Sequence, residues 1–396
     1  MIKNRFILSK FIIIIFSLLI GRFLFPIGDE PDYFLRAIKV IKNIDYYNLT
    51  INKNTDIYQF FRFLFSTLSE NSYYSCNLQS SPTDFFAKID YTTCTDTIKN
   101  ILIRFLLTIF FFLIIVAPLY FNKTYFTLKY YGLRCSLSQW NLRKEILLLS
   151  ILFPSLIYHL GFLSAEAVTL LLSLLIFLFR GSHHFVMIIL FLIFLIDYSD
   201  ALIVFGYYIF ISTVIRYYKF FYYWIFFFLI SSLFILIFRE TIILFLSEFF
   251  FKFNYIFLEQ NFYNTADKYN LILRPIITYL GFIFLTANKI KVIPLYILFS
   301  FFLAKFFFSI IKKIHYEKEF EKKKKFIKNF LIFVSSFFFI INIVFIFPSH
   351  SFVKYYIFIF PFFLLSIVDV YKLKNVFIFA IISNIVVFLN LLIYYK

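Results

Sequence analysis

Residues 220–238 read FFYYWIFFFLISSLFILIF, nineteen positions without a charged side chain. As a helix rising about 1.5 Å per residue the stretch is about 28 Å long, close to the ~30 Å hydrocarbon core of a bilayer. Peptide groups find no water there, so a helix that satisfies them internally is the expected form. Arg216 and Lys219 stand before the stretch, and Arg239 and Glu240 end it. Outward from it, comparable runs follow at 241–258, 271–288, 292–311, 329–347, 353–371 and 375–394. Others precede it at 7–26, 101–121, 146–162, 165–179, 185–199 and 201–215. A span needs roughly 17–25 residues, and the shorter runs are candidates for re-entrant or broken segments. The fold class that follows is all-α, a polytopic transmembrane helical bundle of about 11–13 spans.

The composition excludes the main alternatives. Of 396 residues, 62% are hydrophobic and 15% charged, against about 45–50% and about 25% in soluble domains. A buried core cannot absorb that excess, because it still needs a polar surface around it. The net charge of +18 raises the question of nucleic acid. The lysines and arginines, however, sit in short clusters between apolar runs, as cytosolic loops of membrane proteins do. No continuous basic stripe is available to follow phosphates, so nucleic acid is not an expected partner.

Those clusters set an orientation. Lys3 and Arg5 place the N-terminus in the cytosol, and Lys123, Lys129, Arg134, Arg143 and Lys144 mark the next cytosolic loop. Arg180 with His183 and His184 marks another, as does Arg216 with Lys219. The strongest anchor is Lys312–Lys328, with eight lysines against Glu317, Glu319 and Glu321; Lys372 and Lys374 complete the set. Residues 1–26 then form the first span, 27–100 an outer loop facing periplasm or lumen, and 101–396 a transmembrane helical domain. The outer loop holds nine acidic and seven basic residues, unlike the basic remainder. It also holds Cys76 and Cys94. On an oxidising face this pair is a disulfide candidate, worth about 3 kcal/mol in the chain-entropy model; the alternative is two free thiols. Cys135 falls on the cytosolic side. No Cys/His spacing resembles a metal site, and no cofactor is expected.

Directly behind the first run stands Phe25-Pro26-Ile27-Gly28-Asp29-Glu30-Pro31-Asp32-Tyr33-Phe34. Pro31 suits a first helical position, with Asp29 or Glu30 as the cap. From Tyr33 to Ile44, Phe34, Ala37, Ile38 and Ile41 recur at helical spacing opposite Arg36, Lys39 and Lys42. That pattern suits a helix lying in the interface. Three carboxylates are thereby held at the outer membrane surface. There a partly desolvated carboxylate can act as general base towards a hydroxyl attacking an activated sugar. Helix capping and ordinary solvation account for the same residues, and both readings stand.

Gly28-Asp29-Glu30-Pro31-Asp32-Tyr33 resembles the Gly-Asp-Glu-Pro-x-Tyr pattern behind the first span of GT-C glycosyltransferases, most of all their protein O-mannosyltransferase-like branch. The order of parts is similar too: first span, acidic motif, interfacial helices in a long outer loop, then the remaining spans. Phe162-Leu163-Ser164-Ala165-Glu166 is similar to their Ser-x-Glu segment, and Lys354-Tyr355 with Pro361 to their Arg-Tyr followed by Pro. The resemblance implies Asp29 as catalytic base, or Glu30 if the register slips. It also implies a polyprenyl-phosphate sugar as donor and a glycan or lipid-linked acceptor, used at a bacterial inner (plasma) membrane in polysaccharide or lipopolysaccharide synthesis. Lysine at 354 offers a point charge where arginine would offer a fork.

Ionisable residues within apolar runs are costly and frequently functional. Glu166, Asp197, Asp200, Arg239, Glu240, Glu248, Arg274, His350 and Lys354 qualify here. Lys354, His350, Arg239 and Arg274 are the candidates for holding a lipid-linked phosphate, although Lys354 can equally snorkel to headgroups and Arg239 can simply terminate a span. A second reading is an O-antigen or exopolysaccharide polymerase, because Ile196-Asp197-Tyr198-Ser199-Asp200-Ala201-Leu202 echoes a Phe-His-x-Ser-Ala-Leu segment of those enzymes. A transporter or flippase is the third. Transporters favour paired broken helices and internal repeats, whereas this chain has seven glycines and no visible repeat. The cysteines provide an early check. In denatured, non-reduced protein a maleimide should label Cys135 alone and, after reduction, all three; labelling of all three beforehand would establish free thiols.

Overall fold

Pro154, Gly181 and Lys372 each stand at a break in a helical stretch. The computed structural model describes residues 78–79, 88–89, 137–160, 165–196, 198–249, 274–284, 293–346 and 356–394. Helices dominate them. In chain order these are α1 (Leu137–Ile151), α2 (Pro154–Leu160), α3 (Ala165–Phe179), α4 (His183–Ile196), α5 (Tyr198–Arg216) and α6 (Phe221–Ile237). There follow α7 (Arg239–Phe249), α8 (Arg274–Phe284), α9 (Ile293–Tyr316), α10 (Phe320–Ile346) and α11 (Phe360–Tyr394). Short 3₁₀ turns at Tyr218–Phe220 and Ile357–Ile359 lead into α6 and α11. Two compact units divide the chain: Met1–Leu137 with Ile157–Leu202, and Ser138–Leu156 with Ile203–Lys396.

In the first unit, β1 (Leu78–Gln79) and β2 (Lys88–Ile89) pair antiparallel, Leu78 opposite Ile89 and Gln79 opposite Lys88. Its helices α3 and α4 form a hairpin that turns at Arg180-Gly181-Ser182. Gly181 has φ +103°, a backbone conformation that side chains with a Cβ resist. The Ser182 N–H donates to the Phe179 carbonyl at 3.0 Å, and the Val186 N–H to the Ser182 carbonyl at 3.1 Å. Phe179 and Phe185 stack across the turn, centroids 5.0 Å apart. On α4, Val186, Ile189, Leu190 and Ile193 are buried, while Met187, Ile188, Phe191 and Phe194 are exposed. A helix apolar all round does not belong at a water-facing surface.

The second unit is organised around α10, which packs against α6, α7, α8, α9 and α11. Phe330, Leu331, Ile332, Phe333 and Val334 are all buried. Five consecutive positions go right round a helix, so neighbours enclose α10 there. Phe333 lies among Phe306, Phe307 and Phe363, with centroid separations of 4.5, 5.4 and 4.6 Å. Such aromatic pairs add about 0.5–1.5 kcal/mol each beyond area burial. By contrast α6 buries only Phe228 and Ser232, and Tyr222, Tyr223, Phe226, Leu233 and Ile237 stand well exposed. Residues Tyr218–Ile237 and Phe320–Ile346 are long and apolar enough to cross a membrane. With the exposed apolar side of α6, they point to a membrane protein.

Helix ends follow local chemistry more closely than hydropathy does. The apolar run at 329–347 predicts a helix of that extent, yet α10 already starts at Phe320. Its first turns are carried by Glu319–Lys322 and Glu321–Lys324 pairs three residues apart, at 2.6 and 3.3 Å. The run at 146–162 is broken at Pro154, which cannot supply a helical N–H. There Asn384 of α11 donates to the Leu152 carbonyl at 2.6 Å, and Phe153 meets Phe360 edge-on at 4.7 Å. The runs at 353–371 and 375–394 join into α11, which breaks at Lys372 (φ 63°, ψ 145°). Within the first unit, no atom lies within 4 Å of where a Cβ would sit on Gly181, so Gly181→Ala tests the backbone alone. It should lower stability by about 1–2 kcal/mol, seen as an earlier midpoint in a denaturant titration; an unchanged midpoint would mean that the turn relaxes freely.

Candidate functional site

Arg239 is the sequence-selected residue whose surroundings are clearest. It opens α7, and its Nε donates to the carbonyl of Phe345, near the end of α10, at 2.6 Å. That bond fixes the guanidinium at the end of α10 from which the chain runs on to His350 and Lys354. His350 and Lys354 themselves lie outside the described residues, as do Asp29, Glu30, Asp32, Cys76, Cys94 and Asp197. Arg274 begins α8 and Glu166 lies in the first turn of α3. Glu240 and Glu248 are exposed on α7, and His183 and His184 on α4. Asp200, in the first turn of α5, accepts a hydrogen bond from Thr169 of α3 at 3.0 Å. Thr169 is itself buried.

A second polar centre escaped the sequence reading. Asp369 of α11 has a side chain only 7% exposed, and Lys325 of α10 reaches its Oδ1 at 3.2 Å. Asn329 Nδ2 donates to Oδ2, and the Ser366 hydroxyl donates to the Asn329 carbonyl. From α9, Lys313 Nζ donates to the backbone carbonyl of Asp369 at 2.7 Å. Both carboxylate oxygens are therefore engaged, and the group acts as a pin between α9, α10 and α11. One signal was available. Asp369 is the sole acidic residue after Glu321, placed within the apolar run 353–371.

Two further polar pairs meet α10 along its length. Tyr207 of α5 and Ser336 share a hydrogen bond of 2.9 Å between hydroxyls, in a setting of Phe339, Phe358 and Phe362 rings. Ser232 of α6 donates to Asn342 Oδ1 at 2.7 Å. Elsewhere in the second unit, Ser155 of α2 donates to the Gly281 carbonyl of α8. Among the described residues, no group of three or more His, Cys, Asp and Glu side chains could hold a metal ion.

The chain matches no known family model, no curated protein and no solved structure.

The pin at Asp369 can be tested by deleting its uncharged partner. Asn329→Ala leaves a buried carboxylate oxygen without its donor and should lower stability by about 1–3 kcal/mol. Thermal unfolding in detergent would register this as a lower midpoint. A variant that melts with wild type would show that the carboxylate finds water or another donor.

Proposed function

We propose that this chain is a multi-pass membrane glycosyltransferase that takes a sugar from a polyprenyl-phosphate donor and places it on an acceptor at the outer membrane face. The observation that carries the reading is Gly28-Asp29-Glu30-Pro31-Asp32-Tyr33, set directly behind the first apolar run and ahead of an amphipathic stretch. Arg239 supports it. Its bond to Phe345 holds a guanidinium at the end of α10 that leads towards His350 and Lys354. Lys325 and Phe345 are twenty residues apart on α10, about 30 Å along a helix axis. That distance matches the hydrocarbon thickness, and on this reading a phosphate-holding end and a lysine-rich end would lie at opposite faces. The lysine-rich end would then face the cytosol, with residues 27–100 in the periplasm.

In this mechanism Asp29 accepts the proton of the acceptor hydroxyl as its oxygen attacks the anomeric carbon. The bond from that carbon to the phosphate oxygen breaks, and the phosphate leaves with the electron pair. Arg239, Lys354 and His350 stabilise the charge left on it. One displacement inverts the anomeric centre. A positioned base contributes typically about 10²–10⁴-fold, which sets the expected loss. The polymerase reading draws on a different observation, the hydrogen bond from Thr169 to Asp200 that steadies the segment carrying Tyr198–Leu202.

The deciding experiment is Asp29→Asn at normal membrane expression, compared with wild type and a deletion strain. The transferase reading expects one sugar to be missing from the surface glycan and the charged donor lipid to accumulate, as in the deletion. Wild-type glycans from the substituted chain would reduce Asp29 to a helix cap. Single, unpolymerised repeat units in the deletion strain would instead favour the polymerase.

A further inference from the structure

The lysines at one end of the second unit fall into two sets. Lys313 donates to the Asp369 carbonyl, Lys325 reaches the Asp369 carboxylate with its own side chain 54% exposed, and Lys328 lies over the Tyr218 ring at 4.6 Å. Lys312, Lys318, Lys322, Lys372 and Lys374 stand exposed. The first set is engaged by the pin between α9, α10 and α11 and by Tyr218; of the second, Lys322 pairs with Glu319 at 2.6 Å while 60% of its side chain stays exposed. Exposed at the same end are Tyr316 and Phe320, 69% and 70% accessible, on the two sides of the Glu317–Glu319 connection between α9 and α10. Large aromatic rings beside lysines suit the headgroup level of a bilayer, with the ring in the interface and the ammonium among phosphates. The glutamates do not cancel the field. Glu319 and Glu321 are each bound to a lysine of α10, at 2.6 and 3.3 Å, and eight lysines face three glutamates over Lys312–Lys328.

We infer that the exposed lysines of the α9–α10 connection and of the α11 break, with Tyr316 and Phe320, form a binding surface for anionic phospholipid headgroups. The occupant is a lipid of the leaflet at that end, and what selects it is charge. Lys313, Lys325 and Asp369 hold the two basic segments beside one another, so that lysines from both α10 and α11 reach one patch of headgroups. Clusters of this size next to apolar helices hold anionic lipid by an attraction that salt weakens. The inference rests on the membrane reading above and is independent of the transferase chemistry.

The test uses the full chain purified in neutral detergent micelles. Its melting temperature is followed while phosphatidylglycerol, phosphatidylcholine or inorganic phosphate is added. Phosphatidylglycerol should raise the midpoint by several degrees, the other two should not, and the rise should shrink as salt is added. Replacing Lys312, Lys318, Lys322 and Lys374 together by Gln should abolish the rise, whereas replacing them by Arg should keep it. Should the Gln variant fail to fold, K318Q/K322Q serves in its place, with a reduced rise expected. An equal rise with phosphatidylcholine, a rise reproduced by inorganic phosphate, or a Gln variant that responds like wild type would each overturn the inference. A chain that remains dissolved and monodisperse once detergent is withdrawn would overturn the membrane reading itself, before lipid selectivity is asked.

Discussion

An apolar helix packed among apolar helices has little to fix its rotation or its height, and α10 solves this with hydrogen bonds. Asn329 meets Asp369 of α11, Ser336 meets Tyr207 of α5, Asn342 meets Ser232 of α6, and the Phe345 carbonyl meets Arg239 of α7. Each contact joins a different helix to the same axis at a different level. Interhelical hydrogen bonds within membranes are worth only about 0.6–2 kcal/mol each. Their value here lies in specificity: a slide of one turn would break several at once and bury the orphaned groups. The aromatic cage about Phe333 fills the space between these fixed levels, and its rings tolerate small shifts that the polar pairs do not.

The helices were legible in the sequence because hydropathy and length report them directly. The runs at 201–215, 220–238 and 292–311 correspond to α5, α6 and α9, and the separation of 353–371 from 375–394 anticipated the break at Lys372. Ends were less legible. Lysine and glutamate are good helix formers, so α9 and α10 continue through Lys312, Lys313 and Lys322–Lys325, where hydropathy alone stops. The candidate site divides in the same way. Arg239 was found because a charge at the edge of an apolar run is costly and conspicuous. Asp369 was overlooked, although it is just as isolated, because its partners lie forty and more residues away on other helices. Sequence spacing carries no record of such pairings.

In the proposed chemistry Asp29 would be the proton acceptor and Arg239 a candidate cation for the phosphate. Arg239 donates through Nε to a main-chain carbonyl, that of Phe345. A carbonyl orients a guanidinium while bringing no formal negative charge of its own.

The break at Lys372 has an electrostatic consequence of its own. Peptide dipoles add along a helix and leave negative potential at its C-terminal end. A continuous α11 would deliver that potential only near Tyr394, whereas the interruption ends the first segment beside the lysine-rich connection. One carbonyl of its last turn, on Asp369, takes up Lys313 at 2.7 Å. The shortened dipole thus terminates among ammonium groups, and an interrupted helix becomes a counter-charge that steadies a crowded set of cations.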